Sequence, residues 1–406
     1  MLRLRGLLWL ACLGPLFFLT YNFANATAAA RSHVPSLAFG WERHLPFLAW
    51  TIFPYWSSDF LYGLSLLIAK SKEELDTHAR RLLAVQLISV ACFVAFPLRV
   101  TYDAPAVDGA AGWLFAQLRS FDQPFNQAPS LHVSLAVILW DFYKRRLPRW
   151  TCAWFVLIAM SAWTTYQHQF IDLPMGAWLG VLTVAAMPEK ANPQPKLASA
   201  YLAAAITLTA FAFTARSWAW LLLFVAFPVS LVAAAYWSGD AAVLGKNKGR
   251  MPFWMWPVEI GARVNAYLWT RETPAQTEIR EGVWLGRARR IGELHTFASV
   301  VDLTAELSTN AETVIPVLDL TPPTNSALTR AAEAIESAPK PVLVCCALGV
   351  SRSATAVAAW LIATGRVQSA HEAIAEVRQK RPLTRLNTKA QKCLQQWSGG
   401  RNEFGP

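Results

Sequence analysis

Three groups of residues in this chain have the types and spacing that phosphoryl chemistry needs. The first is Cys346-Ala347-Leu348-Gly349-Val350-Ser351-Arg352-Ser353. It follows the apolar β-branched run Val342-Leu343-Val344-Cys345 and precedes an apolar stretch, Ala354 to Ile362. Strand, tight loop and helix in that order gather the backbone N–H groups of residues 347–352 at a helix N-terminus, which makes an anion site. A thiolate at Cys346 attacks phosphorus. Arg352 presents a planar fork of donors to phosphate oxygens. Ser353 can hydrogen-bond the sulfur and help it leave. Such a site needs no metal and no cofactor, because thiolate, arginine and amides supply both nucleophile and charge.

The second group is His168 and Asp172, and the third is Pro129-Ser130-Leu131-His132. Residues four apart share a helix face. Asp172 can therefore fix the imidazole tautomer of His168 and leave the other nitrogen to attack phosphorus. His132, brought in from another segment, can protonate a leaving alkoxide. A single histidine at the edge of an apolar segment also serves as a packing or interfacial residue. Two of them at the same end of two different segments make a functional constellation the stronger reading.

The elements that must position these residues fall into two classes. The chain has 406 residues, 54% hydrophobic and 16% charged, against roughly 25% charged in average soluble proteins. The deficit is concentrated in the first 240 residues. Eight apolar segments can be drawn there, at about 6–23, 47–69, 81–99, 128–143, 151–166, 170–187, 198–214 and 218–238. Several fall short of the usual span of about 20 residues. The first, followed by the small residues of 22–30, also reads as a cleaved signal sequence. From Glu278 the pattern becomes that of a soluble domain, with short β-branched strands alternating with helices. Such alternation implies a largely parallel sheet, with the ligand at the C-terminal end of a strand. The expected fold class is thus multi-domain: a polytopic α-helical membrane bundle of about eight spans in residues 1–245, an interfacial linker in 246–274, and a soluble α/β domain in 275–400.

Charge and cysteine usage give the expected orientation. The net charge is +11. Nucleic acid is excluded as a partner, because the cations sit in short loops between apolar segments, where acidic phospholipid headgroups are the better match. The N-terminus and the even-numbered connections hold fifteen cations, Lys190 among them; the other side holds five, namely Arg31, Arg43, Arg99, Arg119 and Arg216. The positive-inside rule then places the N-terminus and everything after residue 240 in the cytosol. The six cysteines include no CxxC pair, and a nucleophilic Cys346 requires a reducing compartment. The expected location is a bacterial-type inner (plasma) membrane, crossed several times. Residues 251–271 hold Phe253, Trp254, Trp256, Tyr267 and Trp269, with Pro252 and Pro257 against a ninth span. That stretch suits either the inner interface or a linker packed on the soluble domain.

The loop at Cys346-x5-Arg352-Ser353 resembles the signature of the cysteine-dependent protein tyrosine and dual-specificity phosphatases, a resemblance covering about residues 278–398. It implies that Cys346 is the nucleophile and that the acid on an upstream loop is Asp319, in Ile315-Pro316-Val317-Leu318-Asp319-Leu320. As a bland alternative, Asp319 is a turn residue before Pro322-Pro323. The resemblance also implies that Arg381-Pro382 and Asn387 support the loop. The histidine usual before the nucleophile is Cys345 here.

Pro129-Ser130-x-His132 and His168-x-x-x-Asp172 resemble the second and third motifs of the type 2 phosphatidic acid phosphatase superfamily. That resemblance implies His168 as nucleophile, Asp172 as its orienting group and His132 as general acid. It also implies a six-helix membrane fold. The first motif departs from the pattern, since Cys92 stands where its lysine belongs, before Phe96-Pro97-Leu98-Arg99. The third has Ser161-Ala162 in place of Ser-Arg. What remains looks closer to the inositol-phosphorylceramide and sphingomyelin synthases. Arg99 and Arg119 are candidate replacements for the missing cations.

Together these readings imply a membrane-bound bifunctional phosphatase. Its cytosolic site would act on a phosphorylated lipid, a phosphoprotein or both, and its membrane site would hydrolyse a lipid phosphate or transfer a headgroup. The alternative is a non-catalytic scaffold or transporter-like body carrying a phosphate-binding sensor.

Overall fold

The computed structural model describes residues 1–189, 191–215, 217–288 and 297–402. Lys190 and Arg216, two of the cations counted above, lie outside them. The chain divides into two compact units, Met1–Ala191 and Asn192–Pro406.

The first unit is helical: α1 (Leu2–Ala29), α2 (Ile52–Leu67), α3 (Lys72–Ala95), α4 (Gly109–Phe121), α5 (Leu131–Tyr143), α6 (Cys152–Thr164) and α7 (Asp172–Ala186). Local chemistry sets several boundaries. Ser71 caps α3, its side chain accepting from Glu74 N–H, with Glu73 and Glu74 in the first turn, where the helix dipole favours acids. Ser130 caps α5 in the same way. Buried polar ties then join the helices. Arg81 of α3 pairs with Asp141 of α5 at 2.8 Å and donates to the Val184 and Met187 carbonyls near the end of α7. Helices α5 and α7 approach so closely that a Cβ on Gly176 would lie 2.4 Å from the Ser130 carbonyl oxygen.

The second unit continues with α8 (Pro195–Ala215), α9 (Leu222–Ser238) and α10 (Trp256–Thr270). It then forms β1 (Gln276–Arg280), β2 (Val283–Arg287), β3 (Ser299–Thr304), β4 (Thr313–Val317), α11 (Asn325–Ser337), β5 (Val342–Cys346), α12 (Arg352–Ala363), α13 (Ala370–Lys380) and α14 (Thr388–Asn402). The strand order is β1-β2-β5-β3-β4, antiparallel between β1 and β2 and parallel elsewhere. Strand β5 is central and buried on both faces, which is why it reads as a continuous apolar run. Its faces are distinct. Val342, Val344 and Cys346 join the core with Leu285, Val301, Trp360 and Leu361, whereas Leu343 and Cys345 pack with Val300 on the opposite face. Each such large side chain contributes about 1.5–3 kcal/mol when fully buried.

One expectation needs correction. All eight apolar segments are helical, as α1 to α3 and α5 to α9, yet among the described residues only four helical stretches are long and apolar enough to cross a membrane: 2–29, 72–95, 195–215 and 219–238. The reason is local. Helices α5 and α7 contain 13 and 15 residues, about 20 Å of rise at 1.5 Å per residue, because the polar motifs before them are spent on a cap and a turn. The structure thus has a soluble α/β domain and long apolar helices consistent with a membrane region, rather than eight spans of full length. Helices α8 and α9 fall in the second compact unit, with the strands. The connection after them is built into the α/β domain. Lys246 pairs with Asp302 of β3 at 2.5 Å, fully buried, and Glu259 of α10 accepts from Ser308 N–H and Oγ–H.

Helix α4 lies between the third and fourth of the apolar segments. Residues 251–271 form a short 3-10 turn and then α10, with Pro257 at its start, where the missing proline N–H costs nothing.

Candidate active site

Strand β5 ends at Cys346 and α12 begins at Arg352, and the five residues between them turn the chain back on itself. The turn depends on Gly349, whose φ of +66° is left-handed and whose Cβ would lie 2.4 Å from the Gly286 carbonyl carbon. A side chain there meets both the steric cost of the left-handed region and the backbone of β2. Arg381, at the end of α13, braces the same turn. Its Nε donates to the Gly349 carbonyl at 3.0 Å, and its other nitrogens donate to Thr277 Oγ1 and the Pro274 carbonyl. Arg385 N–H donates to the Val350 carbonyl. Asn387 does not reach the loop. Its Oδ1 accepts from Ala390 N–H at the start of α14, so it caps that helix.

Cys346 sits at the base of the turn and is buried. Ser353 Oγ–H donates to its sulfur at 3.2 Å. Arg352 is buried as well. Its guanidinium forms a two-pronged pair with Glu306, Nη1 to Oε2 at 2.9 Å and Nη2 to Oε1 at 2.6 Å, and donates to the Val317 carbonyl at 2.8 Å. Asp319 Oδ1 lies 3.2 Å from Nη2. Sequence reading placed Asp319 here but missed Glu306. The available signal was its position just beyond β3, at the C-terminal end of a parallel strand, where ligands collect. Burial opposes the charge on Arg352, but Glu306 and Asp319 outweigh it and hold the guanidinium protonated, well above its ordinary value. Burial likewise pushes Glu306 up, and Arg352 overrides it, leaving the carboxyl below its usual range.

Cys345 points away from this site. Burial first, and then Asp302, push its thiol well above the ordinary range, so it stays a neutral packing residue. All six cysteines are free.

The first unit brings its own constellation together. His168 lies in the turn before α7, not on the helix as the i, i+4 spacing suggested. Its Nδ1 stands 3.4 Å from Asp172 Oδ2, which also accepts from Gln169 N–H at 2.9 Å. The Asp172 carbonyl accepts from Ser130 N–H, tying this turn to the cap of α5. His132 stacks flat on Tyr55, with ring centroids 4.0 Å apart. His132 and His168 line one cavity of about 340 Å³. Apolar side chains from α1 (Leu10, Leu13, Phe17) and α5 (Leu131, Leu135) form much of its wall, and Asp59 and Asp122 face it too. Arg99 does not line it, contrary to expectation. It is exposed, in the extended segment after α3, and its carbonyl accepts from Gln169. Arg119 does not line it either; it donates to the Pro105 carbonyl. Ala162, where the superfamily pattern has arginine, is buried, and its carbonyl accepts from Gln167 N–H and His168 N–H. Among the described residues, this cavity therefore has no lysine or arginine in its lining.

Residues 284–399 match the family described as dual specificity phosphatase, catalytic domain. No curated protein matches the chain. Among solved structures, Tk-PTP in its active form is similar, with 28% identity over 32% of this chain and 98% of that one, at a TM-score of 0.28. Human DUSP28 is similar with 24% identity over 31% and 95%, at a TM-score of 0.27. PTPMT1 in complex with PI(5)P has 20% identity over 31% and 96%, also at 0.27. The family match shows that the chain carries a phosphatase catalytic domain of the dual-specificity type, a hydrolase domain.

Proposed function

We propose that this protein is a membrane-held phosphomonoesterase in which Cys346 is the nucleophile, Arg352 and the amides of 347–352 hold the phosphoryl group, and Asp319 is the acid. One observation carries the reading: Cys346, Ser353, Arg352 and Asp319 converge at the end of β5 with the sulfur already hydrogen-bonded by Ser353. The Cys346 thiolate attacks phosphorus. The P–O ester bond breaks, and the leaving oxygen takes the proton of Asp319. A cysteinyl phosphate remains. Asp319 then takes a proton from water, the water oxygen attacks phosphorus, and the S–P bond breaks. Phosphate departs, and Ser353 steadies the returning thiolate. Arg352 turns from Glu306 and Asp319 toward phosphate oxygens as charge develops on them. The test is trapping of labelled phosphate on Cys346 from a phosphomonoester, with loss of the label in Cys346→Ser.

A second reading concerns the first unit: histidine-dependent hydrolysis of a lipid phosphate, or transfer of its headgroup, with His168 as nucleophile, Asp172 as orienting residue and His132 as acid. The observation that favours it is the shared cavity, apolar along one side as an acyl chain requires. Among the described residues its lining holds no lysine or arginine, so the charge of the substrate phosphate must be balanced by the lipid's own headgroup. Label appearing on His168 from a long-chain lipid phosphate tests it. In this reading α8 and α9 cross the membrane and the catalytic domain is cytosolic, as the charge distribution implies.

A further inference from the structure

We propose that the Cys346 site takes its phosphomonoester from the headgroup of a bilayer lipid, with the catalytic domain lying on the membrane surface. The proposal rests on the reading of Cys346 as nucleophile and of α8 and α9 as membrane-crossing helices.

Helices α8 and α9 form a hairpin. Asn192 N–H donates to the Ser238 carbonyl and Gln194 N–H to the Tyr236 carbonyl, joining the start of one to the end of the other. At about 1.5 Å per residue, the stretches 195–215 and 219–238 each span about 30 Å, the thickness of a hydrocarbon core. Whichever way the hairpin is inserted, the domain that follows it lies at its base.

The base of the hairpin touches the acid loop. Tyr236, two residues from the end of α9, stacks on Tyr201 of α8 at 5.5 Å and 8°. Such tyrosines sit at the headgroup level of a membrane. The Tyr236 hydroxyl donates to the Asp319 carbonyl at 3.1 Å. Asp319 is in turn 3.2 Å from the Arg352 guanidinium. Two contacts therefore separate the interface-level tyrosine from the group that grips phosphate. The next residue, Leu320, is an exposed apolar side chain held at a φ of +57°.

Helix α10 supplies an independent observation. Trp256, Ile260, Val264, Tyr267 and Leu268 recur at helical spacing, and each is more than half exposed. Glu259 and Arg263 tie the helix to Ser308 of the catalytic domain. This apolar stripe is on the next long helix after the hairpin, so the occupant it fits is the bilayer interface. A phosphopeptide would gain nothing from such a stripe. A lipid headgroup is held at the level where Arg352 sits.

The test uses the full-length protein carrying His168→Ala, reconstituted in phosphatidylcholine vesicles. Phosphate release is compared for vesicles containing phosphatidylglycerophosphate or a phosphatidylinositol monophosphate, for phosphotyrosine and phosphothreonine peptides, and for a small aryl phosphate. Release that depends on Cys346 should have a kcat/KM at least 100-fold higher for one of the lipids than for either peptide. Trp256→Glu with Ile260→Glu should lower the ratio of lipid to aryl phosphate turnover at least tenfold. Peptides hydrolysed as well as the lipids, or a lipid to aryl phosphate ratio that the charged variant leaves in place, would overturn the proposal. If that variant loses both activities equally, the domain has been damaged, and the lipid-to-peptide ratio of the parent protein decides. Aryl phosphate hydrolysis that persists in Cys346→Ser would instead remove the nucleophile on which the proposal rests.

Discussion

The Lys246 ammonium donates to the Asp302 carboxylate at 2.5 Å and also to the Thr304 carbonyl and hydroxyl at 2.8 Å each, with both charged side chains out of water. A residue eight positions beyond the last apolar helix thus closes the sheet of the catalytic domain. Removing one partner of a buried pair strands the other charge, at a cost of about 3–5 kcal/mol. Lys246→Met should lower the thermal midpoint of the full chain accordingly, and Asp302→Asn in the same background should recover part of the loss. A fragment starting at residue 275 should aggregate more readily than one starting at residue 241. Equal midpoints for Lys246→Met and the parent protein would show that the pair contributes nothing.

Cys346→Ser should abolish phosphomonoester turnover, because a neutral hydroxyl is a poor nucleophile without a base. Asp319→Asn should slow turnover of alkyl phosphates by about 10²–10⁴-fold, and that of aryl phosphates with good leaving groups far less. Ser353→Ala should slow the second step, which stopped-flow measurement would read as a burst of released alcohol followed by a slow steady state.

Tyr236 acts on the acid only through the backbone of its loop, as a positioning residue. Tyr236→Phe should reduce kcat for poor leaving groups by about tenfold, a loss of roughly 1.4 kcal/mol, with little change for good ones. A uniform fall across leaving groups would point to general damage and sink the assignment.

Glu306 is held below its usual range by Arg352. A carboxyl depressed in the folded state contributes stability above its unfolded pKa, and the contribution disappears as pH falls through the folded value. Unfolding of the parent protein should therefore become easier below about pH 4.5. Glu306→Gln should be less stable at neutral pH and show a smaller acid dependence. It should also change KM more than the leaving-group dependence, since it frees the phosphate-binding fork and not the acid. Denaturant titrations between pH 3 and 7 check the first point, and steady-state kinetics the second.

In the first unit, Gly176 lets α7 approach the cap of α5, and a Cβ on Gly180 would lie 2.8 Å from Val137 Cβ. Gly176→Val should push these helices apart, lower thermal stability in detergent by several degrees, and remove whatever lipid activity depends on His132 and His168 together. Retention of both stability and His168-dependent activity would contradict the packing.

The sequence alone determined much of the catalytic domain. A β-branched run ending in Cys346-x5-Arg352-Ser353 has few ways to fold other than strand, turn and helix, and the strand–turn–strand at 279–286 and the strands expected at 298–303 and 313–318 follow from period and turn residues at short range. Asp319 could be read because the resemblance placed an acid on a loop after such a strand. Asn387 was misread for the same reason, since a motif position carries no information on which N–H the side chain will meet. Glu306 and Lys246 were out of reach. Each is a single charged residue whose partner is 46 or 56 positions away, and only the closed sheet brings such partners within hydrogen-bonding distance. The same holds for the first unit. Local polarity marked His132, His168 and Asp172, but the cavity that the two histidines share, and the absence of Arg99 from its lining, came from helix packing. Hydropathy located the eight helices. It could not say how much of each apolar segment would be spent on caps and turns, and that set which of them are long enough to cross a membrane.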